Sequence, residues 1–169
     1  MGEFRFVAMD LISDGELDLV IEERTPANER KGYVPAYNYA IQLHHTKVKV
    51  GRISLRIGDN RLIYYGGHIG YEVLEEFRGN GYAAKACMLV ARVAVAHGLD
   101  RLIITCNPDS LPSRRTCEKL GARLIETVDL PPDNDMYQEG ERQKCRYEWT
   151  LTDAPTPRDQ PGFPAILIK

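Results

Sequence analysis

The stretch Glu75–Gly98, EEFRGNGYAAKACMLVARVAVAHG, constrains the fold of this chain more than any other. Ala83, Ala86, Cys87, Val90, Ala91, Ala94 and Val95 recur at three- and four-residue spacing, the stripe of a helix with one buried face. Gly98 is a natural terminator for it. RLIITC (101–106) follows as a short, fully apolar strand, so the helix belongs to a layered fold in which it covers a sheet. Immediately before the helix stand Arg78, Gly79, Asn80 and Gly81. A helix start carries unpaired N–H groups and about half a positive charge, and glycine lets the backbone close on a guest. An anion, pyrophosphate first, is the natural ligand of such a turn.

The remaining elements follow from shorter signals. ELDLVIEE (16–23) alternates as a half-buried strand does, and YNYAIQLHH (37–45) with VKVGRISLRIG (48–58) predicts a hairpin around HTK. GDNR is a turn, and LIYYGGHIGYEVLEE (62–76) predicts a further strand whose glycines mark bulges. NPDSLPSRRTCEKLGA predicts a helix from about Ser113 to Gly121, with Ser113 as its N-cap. RLIETVDLP and CRYEWTL are the last two strands. RTPANERKGYVPAY (24–37) is a long loop or a set of short helical turns, and such loops are usually functional. Strands first, then strand and helix in alternation, predict a mixed α/β layer fold with a partly antiparallel sheet. Residues 1–152 form one domain, and 153–169, with four of the ten prolines, form a tail outside the core.

Composition narrows the partners. A net charge of −2 argues against a protein built to coat nucleic acid. No run of about 18 apolar residues predicts a membrane span, and MGEFRFVAMDL lacks a signal-peptide pattern, so a cytosolic location is expected. Cys87, Cys106, Cys117 and Cys145 contain no Cys-x-x-Cys pair and are read as buried free thiols. With no helical pair among His44, His45, His68 and His97, no metal site is expected.

Three phosphate-binding readings compete for the glycine turn. No Gly-x-x-x-x-Gly-Lys-Ser/Thr run exists, which removes the P-loop. Gly79, Gly81 and Ala84 match a dinucleotide fingerprint, but the next strand ends in Cys106 and Asn107, and Asp100 lies at its wrong end for holding a ribose. The third reading is coenzyme A. Arg78-Gly79-Asn80-Gly81-Tyr82-Ala83 resembles the Arg/Gln-x-x-Gly-x-Gly/Ala signature of the GNAT superfamily of N-acetyltransferases. NPDSLPSRRTCEKLGA is similar to the Asn-Pro-x-Asn-x-x-Ser…Glu-Lys-Leu-Gly run that follows the fifth strand of that fold. The resemblance is closest to the branch containing the ribosomal-protein N-terminal acetyltransferases.

That resemblance implies a mostly antiparallel central sheet flanked by helices, and a division of labour. Acetyl-CoA is the co-substrate, its pyrophosphate held by the N–H groups of Gly79, Asn80, Gly81, Tyr82 and Ala83, with Arg78 adding charge or shaping the loop. The strand around Glu72 and Val73 splays from the next one and pairs with the pantetheine arm, and an N–H near Val73 polarises the thioester carbonyl. Asn107, Ser110 and Ser113 lie by the arm and thiol. An amine of a small molecule or peptide N-terminus attacks directly, so a base is needed. Glu72 and His68 share a strand face with Gly70 and are the base candidates; the alternatives are a solvated carboxylate and a packed histidine. Where the family often has a general-acid tyrosine in Tyr-x-x-x-Gly-Phe this chain has Cys117, with Ala122 for the phenylalanine and Ser110 where asparagine is frequent. The same loop also suits a non-catalytic acyl-CoA-binding domain. Segment 24–45 is expected to shape the acceptor pocket, with Tyr33, Tyr37, Tyr39, Glu22, Glu23 and Glu29 near a cationic amine. The apolar end PAILIK implies packing on this domain or on a second copy, a homodimer.

Overall fold

Alternating apolar residues fold the N-terminal half into a meander. In the computed structural model, which describes residues 3–151, β1 (Leu11–Ser13), β2 (Leu17–Thr25), β3 (Ala36–Leu43), β4 (Lys49–Arg56) and β5 (Ile69–Val73) pair in chain order, each antiparallel to the next. One face of this sheet carries Leu19, Tyr37, Tyr39, Ile41, Ile53 and Leu55, all fully buried. Helix α2 (Tyr82–Ala96) lies over it, and its small residues Ala86, Cys87 and Ala94 are equally buried. Alanine and valine on the inner face let a helix approach a sheet closely, which is what the stripe in the sequence encodes.

The second half forms a separate antiparallel sheet. Strands β6 (Arg101–Cys106), β7 (Arg123–Asp129) and β8 (Gln143–Thr150) are ordered β6-β8-β7, with Leu102 opposite Trp149 and Cys106 opposite Cys145. Helix α3 (Leu111–Lys119) links β6 to β7, and a short helix, α4 (Asp135–Gln138), lies between β7 and β8. The architecture is the expected mixed α/β arrangement of antiparallel sheets flanked by helices.

The backbones of the two sheets come together beside His68. The His68 N–H donates to the Ile103 carbonyl at 2.8 Å, and the Ile103 N–H donates to His68 Nδ1 at 2.9 Å. Gly67 has φ +76°, and a β carbon there would lie 2.9 Å from the Ile103 carbonyl oxygen, so glycine is required for this approach. Past this contact β5 and β6 belong to different sheets and share no ladder. The splayed pair is therefore present, with an opening beyond His68.

Several elements differ from expectation. The strand expected over 62–76 is three elements: α1 (Arg61–Gly66), β5 and a 3-10 turn at Glu75–Phe77. Asn60 causes the difference, because its Oδ1 accepts the Ile63 N–H at 3.0 Å and starts a helix that buries Ile63. Helix α3 starts at Leu111 rather than Ser113. Ser110 is its N-cap and makes no side-chain capping bond, while Pro112 occupies an early position where a missing N–H is harmless. β1 and α4, three and four residues long, are too short to show a period. The Pro-rich tail and the PAILIK packing fall outside the described residues.

Candidate functional site

The opening beyond His68 is a cleft of about 610 Å³ whose walls come from three elements. Tyr71, Glu72 and Val73 of β5 form one wall. Arg78, Gly79, Gly81, Tyr82 and Ala83 form the floor. Ser110, Ser113 and Thr116, with Arg115 and Lys119, form the far wall on α3.

The floor is bare backbone. Gly79 and Gly81 have φ +87° and +74°, left-handed values that glycine adopts without strain. Gly81 is the N-cap of α2, and no side chain covers the first-turn N–H groups. A β carbon on Gly79 would meet nothing within 4 Å, and one on Gly81 only the Lys119 Nζ at 3.9 Å. Two side chains lash the loop in place: Arg78 Nε donates to the Val73 carbonyl and Asn80 Nδ2 to the Phe77 carbonyl, both at 2.9 Å. Of its two expected roles, Arg78 performs the shaping one, while still lining the cleft. Asn80 shapes the loop as well.

Arg115 and Lys119, four residues apart on α3, add positive charge opposite the start of α2. Sequence reasoning missed both, although the four-residue spacing in RRTCEK was the available signal. Together with the helix start they give this end of the cleft a positive potential.

The far wall carries three hydroxyls, of which that of Thr116 donates to the Pro112 carbonyl at 3.0 Å. Neither Ser110 nor Ser113 spends its side chain on capping, and both reach the cleft. Across from them is Tyr71, which the sequence reading did not single out. Its hydroxyl is shielded from solvent beside those of Ser113 and Thr116, whose hydrogen-bonding pull works against the burial. Burial pushes this phenol above its ordinary value of 10.

The expected catalytic residues are dispersed. Glu72 is at the cleft and about half exposed, and its carboxylate pairs with Arg52 at 3.1 Å on the sheet face away from Tyr71. His68 is a clamp with both ring nitrogens engaged: Nδ1 accepts from Ile103, and Nε2 bonds the Gly58 carbonyl, each at 2.9 Å. Burial holds its pKa below 6.5, so the ring is neutral. Cys117 is fully buried beneath the far wall, and its hydrogen bond with Cys106, then burial, push its thiol up. It faces Cys106 and not the cleft. Asn107 stands behind Ser110, whose N–H donates to its backbone carbonyl at 3.0 Å, and its Oδ1 is buried without a partner. All four cysteines are buried and free, as expected.

A second cavity, of about 370 Å³, opens near the sheet face that carries Arg52, Ser54 and Arg56. Thr25, Tyr33, Val34 and Ala36 line it, together with Arg56 and Met136. Segment 24–45 thus lines this cavity with Tyr33 among the expected residues, and with Thr25, Val34 and Ala36 besides. Tyr37 and Tyr39 are core residues, fully buried, and their hydroxyls bond His97 and the Met9 carbonyl. Glu22 is drawn to Lys49 at 3.0 Å, and Glu23 and Glu29 are exposed; none of the three lines either cavity.

Residues 6–123 match the family model of the acetyltransferase (GNAT) domain. Over 92 residues the chain is 33% identical to the uncharacterized N-acetyltransferase YnaD of Bacillus subtilis (strain 168), covering 51% of this chain and 54% of that protein. Among solved structures it is similar to Mycobacterium smegmatis RimJ in complex with CoA-disulfide, at 22% identity and a TM-score of 0.55, covering 75% of this chain and 57% of that one. It is also similar to the ribosomal-protein-S5-alanine acetyltransferase of Vibrio fischeri, at 17% identity and a TM-score of 0.56, covering 72% and 64%. The matched part of this chain therefore spans between about half and two thirds of each relative. At these identities the two structures share its fold.

Proposed function

Since this chain belongs to the acetyltransferase (GNAT) domain family, which residues 6–123 match, we propose that it moves an acetyl group from acetyl-CoA to a primary amine by direct attack. The observation that carries the reading is the bare glycine floor, open at the start of α2 and faced by Arg115 and Lys119. In this reading the N–H groups of Gly79 to Ala83 take the pyrophosphate, and the two α3 cations neutralise it. The pantetheine arm runs along the free edge of β5, where no strand of the second sheet pairs with it. Asn107, Ser110 and Ser113 flank the arm. A backbone N–H near Val73 polarises the thioester carbonyl, in the manner of an oxyanion hole. The complex of RimJ with CoA-disulfide, on the same fold, supports a coenzyme A guest.

Glu72 is the base in this reading, taking a proton from the incoming ammonium directly or through water. Its exposed pair with Arg52 is worth at most about 1 kcal/mol, so an ammonium can displace it. His68, with both nitrogens occupied, positions the cleft and moves no proton in the reaction. The acceptor enters from the side of the second cavity, where Tyr33 and Arg56 line the approach. A small molecule and a protein N-terminus both satisfy the chemistry, and the likeness to the S5-alanine enzyme supports the second. The reaction draws on a soluble pool of acetyl-CoA, which supports a cytosolic reading.

The test is thiol release from acetyl-CoA with a panel of amines and peptide N-termini. Turnover on a member of the panel supports the reading. Tight binding of acetyl-CoA with no turnover on any amine would assign an acyl-CoA-binding module instead.

A further inference from the structure

We propose that the acceptor is a free α-amino acid with an apolar side chain, and that Arg56 holds its carboxylate. The inference deepens the acetyl-transfer reading above and rests on it. It starts from a charge with no counterpart. Arg56 is half-buried at the end of β4 and lines the second cavity. None of the ion pairs among the described residues includes it. Burial lowers its pKa from the ordinary 12.5, and no neighbouring carboxylate among the described residues pulls it back. A guanidinium drawn out of water is costly unless an anion answers it.

The guanidinium is held with one edge free. Nη1 donates to the carbonyls of Gly66 and Gly67, at 3.4 and 3.0 Å, where α1 ends. Nε and Nη2 donate to nothing among the described residues. These two groups form the edge that takes a carboxylate through two parallel hydrogen bonds. A glycine sets its position. Gly70 lies opposite Ser54, and a β carbon there would stand 2.9 Å from Arg56 Nη2. Bare backbone at this point lets the fork lie over β5. Glu72, the base of the reading above, is on the same face two residues on, roughly 7 Å along the strand. A cation and a base so placed suit a carboxylate and an amine borne by one carbon.

The walls select the rest of the molecule. Val34, Leu62, Ile63 and Met136 make the cavity mostly apolar, and its 370 Å³ is ample for an aliphatic side chain. Asp135 is the only carboxylate among the described lining residues, and it is exposed. A second ammonium, as on a diamine, would meet Arg56 with like charge. A protein N-terminus has its first carboxyl locked in an amide and brings no anion there. The likeness to the S5-alanine enzyme is one of fold, whereas these walls are this chain's own. In the reaction the α-nitrogen bonds the acetyl carbon, the carbon–sulfur bond breaks, and its electron pair leaves on sulfur. One ammonium proton passes to solvent through Glu72 and a second ends on sulfur, giving an N-acetyl amino acid and a thiol.

The test measures thiol release from acetyl-CoA with L-leucine, L-leucinamide and a peptide that begins with leucine. The quantity read is the ratio of kcat/KM for leucine over leucinamide. Comparing this ratio between enzymes cancels amine basicity and any general loss of activity. Wild type should favour leucine, and Arg56→Met should lower the ratio by about 10- to 100-fold, the worth of hydrogen bonds to a charged group. Arg56→Met also loses the ties to Gly66 and Gly67, so Gly70→Ala is the second variant. It keeps the charge, displaces the fork and should lower the same ratio. Acetyl-CoA affinity by calorimetry should be unchanged in both. Wild type acting as well on leucinamide or the peptide as on leucine overturns the assignment, as does an unmoved ratio in both variants. A wild type that binds acetyl-CoA and acetylates no amine removes the acetyl-transfer reading, and the amino-acid acceptor with it. A wild type that acetylates only the peptide leaves that reading standing and removes the amino-acid acceptor alone.

Discussion

His68 Nδ1 accepts the Ile103 N–H while Nε2 donates to the Gly58 carbonyl, so one ring ties the two sheets and a distant turn together. Protonation would remove the acceptor at Nδ1. The unfolded chain takes up this proton near pH 6.5, whereas the folded ring, held low by burial, takes it only at more acid pH. The stability contributed by the neutral ring is therefore complete above about pH 6.5 and is lost as pH falls through the folded value. His97 is shifted in the same direction. The prediction is accordingly differential: Tm should fall between about pH 7.5 and 5 in wild type, and fall less steeply in His68→Leu. Equal slopes would show that the clamp does not titrate.

Gly81→Glu should abolish acetyl-CoA binding in calorimetry while the fold survives. The side chain has room, since only Lys119 Nζ lies within 4 Å of the new β carbon, but it brings negative charge to the phosphate site. The left-handed φ of +74° adds about 1–2 kcal/mol of strain, so Tm should drop by about 2–8 °C. Retained affinity in a folded variant would remove the coenzyme A assignment.

Glu72→Gln and Cys117→Ser should separate in steady-state kinetics. The first removes a base at the cleft and should lower kcat by about 100-fold, the second by less than about tenfold. Cys117→Ser puts a hydroxyl among buried thiols, so its larger effect should be on Tm. Collapse of turnover in Cys117→Ser, with affinity and Tm intact, would return the acid role to this residue.

Arg115→Ala and Lys119→Ala should each weaken acetyl-CoA binding at low salt, and the difference from wild type should shrink as ionic strength rises. Both side chains stand at the open end of the cleft, where about 0.15 M salt screens beyond roughly 8 Å. A titration of dissociation constant against salt, with parallel curves for wild type and variants, would show that the two cations face away from the phosphates.

What was legible in the sequence follows the length of each signal. Helix α2 shows its period over 15 residues, and RLIITC matches β6 in every residue. The glycine turn is legible because Gly79 and Gly81, both left-handed, stand directly before the helical stripe. Six residues of α1 read equally well as strand, and only the Asn60 cap separates the two. Alternation placed His68 on a face with Glu72, but it carries no information about Gly58 and Ile103, 10 and 35 residues away, which occupy the ring. Tyr71 was illegible for the same reason: its meaning comes from Ser113 and Thr116, on a helix the strand does not know about.

The contact at His68 also decides how the sheets meet other molecules. Two sheets have four edges, and every open edge is a template for pairing with a foreign strand. Here β5 and β6, each at the end of its sheet, are neighbours across the opening beyond His68. The outer edge of the first sheet, β1, is three residues long, and that of the second, β7, carries Arg123, Glu126 and Asp129. A gap in the hydrogen-bonding pattern, which in an open sheet would invite aggregation, is thereby kept as a private slot.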